Sequence, residues 1–122
     1  MGRVSTRVRV LLVEDDEDSR ALLAELLQDE FDVRTAADGR AGLDACSLEP
    51  PDVLITDESL PGLRGTELAR EVKARHPSTR VVLVSGYAKP PGTEACDLVL
   101  KKPVDVDTLA RALTQLMHPQ SP

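Results

Sequence analysis

The chain has 122 residues, a formal net charge of −6 at neutral pH, and 30% charged side chains. That length allows one ordinary domain over residues 1–122, with a core of its own spanning about 8–117 and no need for disulfides or metals to staple it. The acidic balance argues against direct nucleic-acid binding, which needs clustered Lys and Arg, and one Tyr and one Phe leave little on which bases could stack.

No apolar run approaches the length needed to cross a bilayer. The opening "MGRVSTRVRV" carries no apolar stretch of the secretory kind, which predicts a cytoplasmic chain. Cys46 and Cys96 form neither a CxxC nor a Cys/His pattern and read as reduced thiols.

Val8–Val13 is apolar with almost no alternation, as in a strand buried on both faces. It runs directly into Glu14, Asp15, Asp16, Glu17 and Asp18. Crowded carboxylates repel one another and resist desolvation. Such a cluster is either a solvated helix start, favoured by the helix dipole, or a cation site. From Asp16 the period changes. Leu22, Leu23, Leu26 and Leu27 fall at helical spacing, predicting a helix over Glu17–Asp29. Phe31–Thr35 reads as a short edge strand. Asp38 looks like an N-cap for a helix from Ala41 to Leu48, which Pro50 and Pro51 end.

"DVLIT" is a second buried strand, followed at once by Asp57, and "LPGLRG" is a turn. A helix opens at Gly65 or Thr66, carries Leu68, Ala69 and Val72 on one face, and ends near His76-Pro77. "RVVLV" and "DLVLK" read as two further buried strands. Between them "SGYAKPPGTEAC" holds two prolines and two glycines, which predicts a loop or at most one helical turn. Val106, Leu109, Leu113 and Leu116 mark a last amphipathic helix after Asp105, its leucines in the core. His76 and His118 are expected in solvent.

The alternation of strands and helices implies an α/β fold: a parallel sheet with helices on both faces. In such doubly wound sheets ligands sit beyond the carboxyl ends of strands, where the strand order switches. If the first and third strands are neighbours, Glu14, Asp15 and Asp57 converge there.

The pieces "LLVEDD", "DVLITDESLPGLRG", "VVLVSGYA" and "LKKP", in this order, resemble the receiver domain of two-component response regulators over nearly the whole chain. The resemblance implies a (βα)5 flavodoxin-like three-layer sandwich with five parallel strands in order 2-1-3-4-5, here with the fourth helix short or missing. It implies that Asp57 accepts a phosphoryl group as an aspartyl phosphate, which a carboxylate nucleophile can form. It places Mg²⁺ on Glu14, Asp15, Asp57 and the backbone carbonyl of Ser59, hard oxygen donors of the kind this cation prefers. Lys102 matches the family's lysine, Lys101 being the competitor for that role, and the Lys102–Pro103 peptide is expected to be cis. Ser85 matches the switch hydroxyl, and Gly86 the small residue beside it.

There are departures. The family's switch aromatic falls on Val99, so the usual hydroxyl-to-aromatic coupling cannot operate. Tyr87 either covers that role or shapes access to the site. The function implied is a phosphoacceptor rather than an enzyme. It takes its phosphoryl group from a sensor histidine kinase or a phosphotransfer protein, and works as a monomer or weak homodimer. The alternative is a degenerate receiver that docks or dimerises without phosphorylation. A metal-dependent phosphohydrolase of similar fold would place an acid two residues after the nucleophile, where this chain has Ser59. In a flavin-binding protein, "VEDDEDS" would repel the phosphate.

Overall fold

The computed structural model describes residues 7–87 and 91–117. Five strands, β1 (Arg9–Val13), β2 (Asp32–Ala36), β3 (Val53–Asp57), β4 (Arg80–Ser85) and β5 (Leu98–Lys101), alternate with four helices. These are α1 (Glu17–Leu27), α2 (Gly39–Leu48), α3 (Gly65–Arg75) and α4 (Val106–Met117). The strands form one parallel sheet in the order β2-β1-β3-β4-β5. The first and third strands are therefore neighbours, with Val13 opposite Thr56.

Alternation along β1 divides the core in two. Leu11 and Val13 face α2 and α3 and pack with Leu43, Leu54, Leu68 and Val72. Val10 and Leu12 face α1 and α4 and pack with Leu27, Phe31, Leu109 and Leu113. Both faces of the central strands are covered, which is why they read as unbroken apolar runs.

Three helices start on an aspartate. Asp16 accepts from the Ser19 N–H at 2.8 Å, Asp38 from Ala41 at 2.7 Å and Asp105 from Thr108 at 2.7 Å. Asp16 thus belongs to the helix start, with Glu17 and Asp18 well placed against the α1 dipole. In α1 the four leucines divide. Leu27 is buried and Leu23 half-buried, whereas Leu22 and Leu26 are exposed. At 3.6 residues per turn Leu22 and Leu26 lie about 100° round from Leu23 and Leu27, so one leucine-rich helix shows apolar surface on two sides.

Among the described residues no helix lies between β4 and β5. The segment over 91–97 makes a turn closed by the Cys96 N–H to the Thr93 carbonyl at 3.0 Å, and Ala95 and Cys96 pack against the α2–α3 side of the core. Residues 88–90 of the expected loop, and His118, lie outside the described residues. Two expectations need correction. β5 is half-buried rather than buried, because as an edge strand it pairs with β4 alone. His76 is half-buried at the end of α3, its Nε2 enclosed, rather than in solvent. Leu109 and Leu113 are fully buried, with Leu116 packed at the margin of the core.

Candidate functional site

The carboxyl ends of four strands meet at one edge of the sheet. Glu14 and Asp15 follow β1, Asp57 ends β3, Ser85 ends β4, and Lys102 follows β5. One carboxylate oxygen each from Glu14, Asp15 and Asp57 lies within 4.8 Å of the others. Asp57 is buried, Glu14 half-buried and Asp15 exposed, so the cluster opens towards solvent on one side.

Glu14 is held at its backbone and at its carboxylate. The Glu14 N–H donates to the Ala36 carbonyl at 3.1 Å, and the Glu14 carbonyl accepts from Arg20 Nη1 at 2.9 Å. Its carboxylate accepts from the Asp16 N–H at 3.0 Å. Burial pushes the Glu14 carboxyl above its ordinary value, and the Asp57 charge adds to this; the Asp16 N–H and the Lys102 ammonium oppose it.

Lys102 Nζ stands 3.0 Å from Asp57 Oδ1. The Lys102 N–H also donates to the Ser85 carbonyl at 2.7 Å, tying the end of β5 to the end of β4. Lys101 is the last residue of β5 and exposed, so of the two lysines it is Lys102 that pairs with the aspartate. The Lys102–Pro103 peptide is cis. Ser85 is buried, and its Oγ accepts from the Tyr87 N–H at 3.0 Å.

Ser59 is exposed in the loop just beyond β3. Tyr87 is 74% exposed, so its ring does not cover the site, and Val99 is half-buried on β5. A Cβ placed on Gly86 would meet nothing within 4 Å, leaving the approach beside Ser85 open. The cleft at this edge, about 300 Å³, has a mixed lining that includes Glu14, Asp57, Lys102 and Leu23. A larger cleft of about 750 Å³ lies near the opposite end of the sheet. Its Arg9 pairs with Glu49 at 3.1 Å and its Arg34 donates to the Glu49 carbonyl at 2.6 Å, so its arginines brace the fold.

Two residues that the sequence did not single out shape the site. Glu58 turns away from Asp57 and accepts from the Thr66 N–H at 2.8 Å and the Thr66 hydroxyl at 3.2 Å, capping α3 from the far side of the loop. Its own N–H donates to the Val84 carbonyl at 3.1 Å and its carbonyl accepts from Gly65 at 3.1 Å, which fixes where the loop leaves β3. Arg20 is the second. The available signal was an acid directly after Asp57 and an Arg four residues beyond Asp16; neither pattern names its partner. A Cβ on Gly65 would stand 2.3 Å from the Asp57 carbonyl oxygen, so only glycine allows α3 to approach so closely.

The family profile described as the response regulator receiver domain matches residues 10–114. The chain is 34% identical over 86 residues to the sensor histidine kinase TmoS of Ectopseudomonas mendocina, a match covering 70% of this chain and 9% of that protein. It is 32% identical over 115 residues to a cyclic di-GMP phosphodiesterase of Thermotoga maritima, covering 89% and 31%. The chain spans between 9% and 53% of the length of the first curated relatives it matches. Among solved structures, the response regulator protein TrrA of Thermotoga maritima, in complex with Mg²⁺ and BeF, superposes with a TM-score of 0.83 at 27% identity, covering 89% of this chain and 98% of that one.

Proposed function

This chain belongs to the response regulator receiver domain family of two-component systems, and we propose that within it Asp57 is the phosphoacceptor. The observation that carries the reading is the 3.0 Å Lys102–Asp57 pair set against three carboxylates at the strand ends. A lone nucleophile would need neither neighbour.

The donor is a phosphohistidine on a sensor histidine kinase or a phosphotransfer protein. An Asp57 carboxylate oxygen attacks phosphorus in line. The P–N bond breaks, its electron pair stays on the histidine nitrogen, and an acyl phosphate forms on Asp57. Lys102 supplies a positive point charge for the phosphoryl oxygens. Ser85 offers its hydroxyl as a donor to the same oxygens, and the open space beside Gly86 gives them room. Glu14, Asp15, Asp57 and the Ser59 carbonyl suit Mg²⁺, a cation that takes hard oxygen ligands and keeps part of its water. When bound there it would neutralise charge on the transferring group. The chain holds its groups in place and is itself modified, so its role is that of a regulatory phosphoacceptor rather than a turnover enzyme. Among the described residues no helix is long and apolar enough to cross a membrane.

The exposed Tyr87 ring and the aliphatic Val99 favour a second reading, in which the chain docks to partners without phosphorylation. Intact mass after incubation with acetyl phosphate and Mg²⁺ separates the two. The expected result is a gain of about 80 Da that disappears in Asp57→Ala and without Mg²⁺. No gain from acetyl phosphate or from a phosphorylated kinase would favour docking.

A further inference from the structure

The turn from β1 to α1 is three residues long, 14–16, and carries two of the three clustered carboxylates. Those carboxylates repel one another, so something must hold the turn against its own charge. The Glu14 backbone is gripped on both sides, its N–H by the Ala36 carbonyl and its carbonyl by the Arg20 guanidinium. Arg20 is half-buried on the first turns of α1, and its own N–H donates to the Asp16 carbonyl at 2.9 Å. It therefore meets the turn at both ends, through its backbone at Asp16 and its side chain at Glu14.

We infer that Arg20 is a positioning residue for the cation-binding carboxylates: by holding the Glu14 carbonyl it aims Glu14 and Asp15 at the point they share with Asp57. This rests on the reading of that cluster as a Mg²⁺ site. The alternative role makes the opposite forecast. A guanidinium bonded to the Glu14 carbonyl brings positive charge to this turn, and if charge were its whole effect, removing it would tighten cation binding. If Arg20 positions the turn, removing it weakens binding, as losing a support behind a metal ligand generally does. The sign of the change decides between them.

The test is a Mg²⁺ titration of the full chain at constant ionic strength, followed by amide NMR shifts, for wild type, Arg20→Ala, Arg20→Lys and Asp15→Asn. Hydrogen exchange at the Asp15 and Asp16 amides is measured in the metal-free proteins. The expected result is a Kd about tenfold weaker in Arg20→Ala, with faster exchange at residues 15 and 16. Arg20→Lys, which keeps a donor to the carbonyl, recovers most of the loss. An Arg20→Ala protein that binds Mg²⁺ as well as or better than wild type would overturn the inference. So would one that loses thermal stability at unchanged affinity. If wild type takes no Mg²⁺, or Asp15→Asn takes it equally well, the metal reading itself falls, and unchanged exchange in Arg20→Ala would show that Arg20 does not hold the turn either.

Discussion

Lys102 Nζ lies 3.0 Å from Asp57 Oδ1, yet the lysine side chain is 44% exposed and the aspartate 8%. The buried partner depends on the exposed one. Without Lys102, Asp57 would face Glu14 and Asp15 with no compensating charge. Because the lysine is well solvated, Lys102→Met is expected to cost only about 1 kcal/mol of stability. The rate of phosphorylation should fall far more, on the order of 10²-fold, since the lost charge is one that the transferring phosphoryl meets. Urea denaturation and a mass-monitored time course measure the two effects, and an unchanged rate would remove Lys102 from the proposed chemistry.

Asp97 latches the segment before β5 to the rest of the sheet. Its carboxylate accepts from Lys73 Nζ at 2.8 Å and from the Val81 N–H at 2.7 Å, with Arg80 at 3.7 Å. Burial alone would raise its pKa, but these donors and charges together hold it below the ordinary 3.8. A lowered carboxylate pKa contributes stability above pH 3.8 that is lost as pH falls through the folded value. Asp97→Asn should therefore cost about 1–2 kcal/mol at neutral pH. The gap to wild type should narrow steadily below pH 3.8. Paired denaturation curves across that range check it, and a gap independent of pH would show that the charge is immaterial.

Neither thiol is built to react. Burial pushes both Cys46 and Cys96 from 9.0 up to about 11, and Glu58, Asp97 and Glu94 add to the effect at Cys96. Cys96 is the informative one, because it is half-exposed and a reagent can reach it. A rise of this size leaves about a hundredth of the usual thiolate at pH 8, so labelling by iodoacetamide should run about 100-fold slower than for an unfolded control. Labelling at the unfolded rate would contradict the environment described for it.

Gly65 lets the first turn of α3 pass under the end of β3. Gly65→Ala would drive a methyl into the Asp57 carbonyl and towards the Leu83 side chain, contacts of 2.3 and 2.9 Å. Backbone cannot yield as a flexible side chain does, so the expected cost is about 2–3 kcal/mol. The strain falls on the acceptor residue itself, and phosphorylation should slow even below the melting temperature. Gly62→Ala, where φ is 81° but no atom lies within 4 Å, is the control for backbone strain away from the site.

Local signals were legible where chemistry and geometry coincide. The apolar runs at Val10–Val13 and Val53–Thr56 are buried on both faces, and Asp16, Asp38 and Asp105 cap the helices they precede. Glu14, Asp15, Asp57, Ser85 and Lys102 stand together because each lies at the carboxyl end of its strand or just beyond it. What was not legible depends on neighbours distant in sequence. "DLVLK" looks like a central strand, and only its place at the edge leaves it half-buried. The leucines of α1 share a period but not a fate, since the core touches one flank of the helix. Glu58 and Arg20 resemble surface charges until Thr66 is seen to donate to the one and the Glu14 carbonyl to accept from the other.

β2 gives this edge a single backbone carbonyl, that of Ala36, which takes the Glu14 N–H. A carbonyl is indifferent to the side chain that carries it. Apart from the core residues Ala36, Leu43 and Cys46, and Gly39 and Gly42, which stand too close to Leu63 and Val13 to bear a Cβ, the outward side chains of the β2–α2 sector can change without touching the proposed phosphoacceptor. Inheritance can thus keep one set of reacting groups while rewriting a whole flank of the surface, and duplicated copies can diverge into insulated pathways there at no chemical penalty.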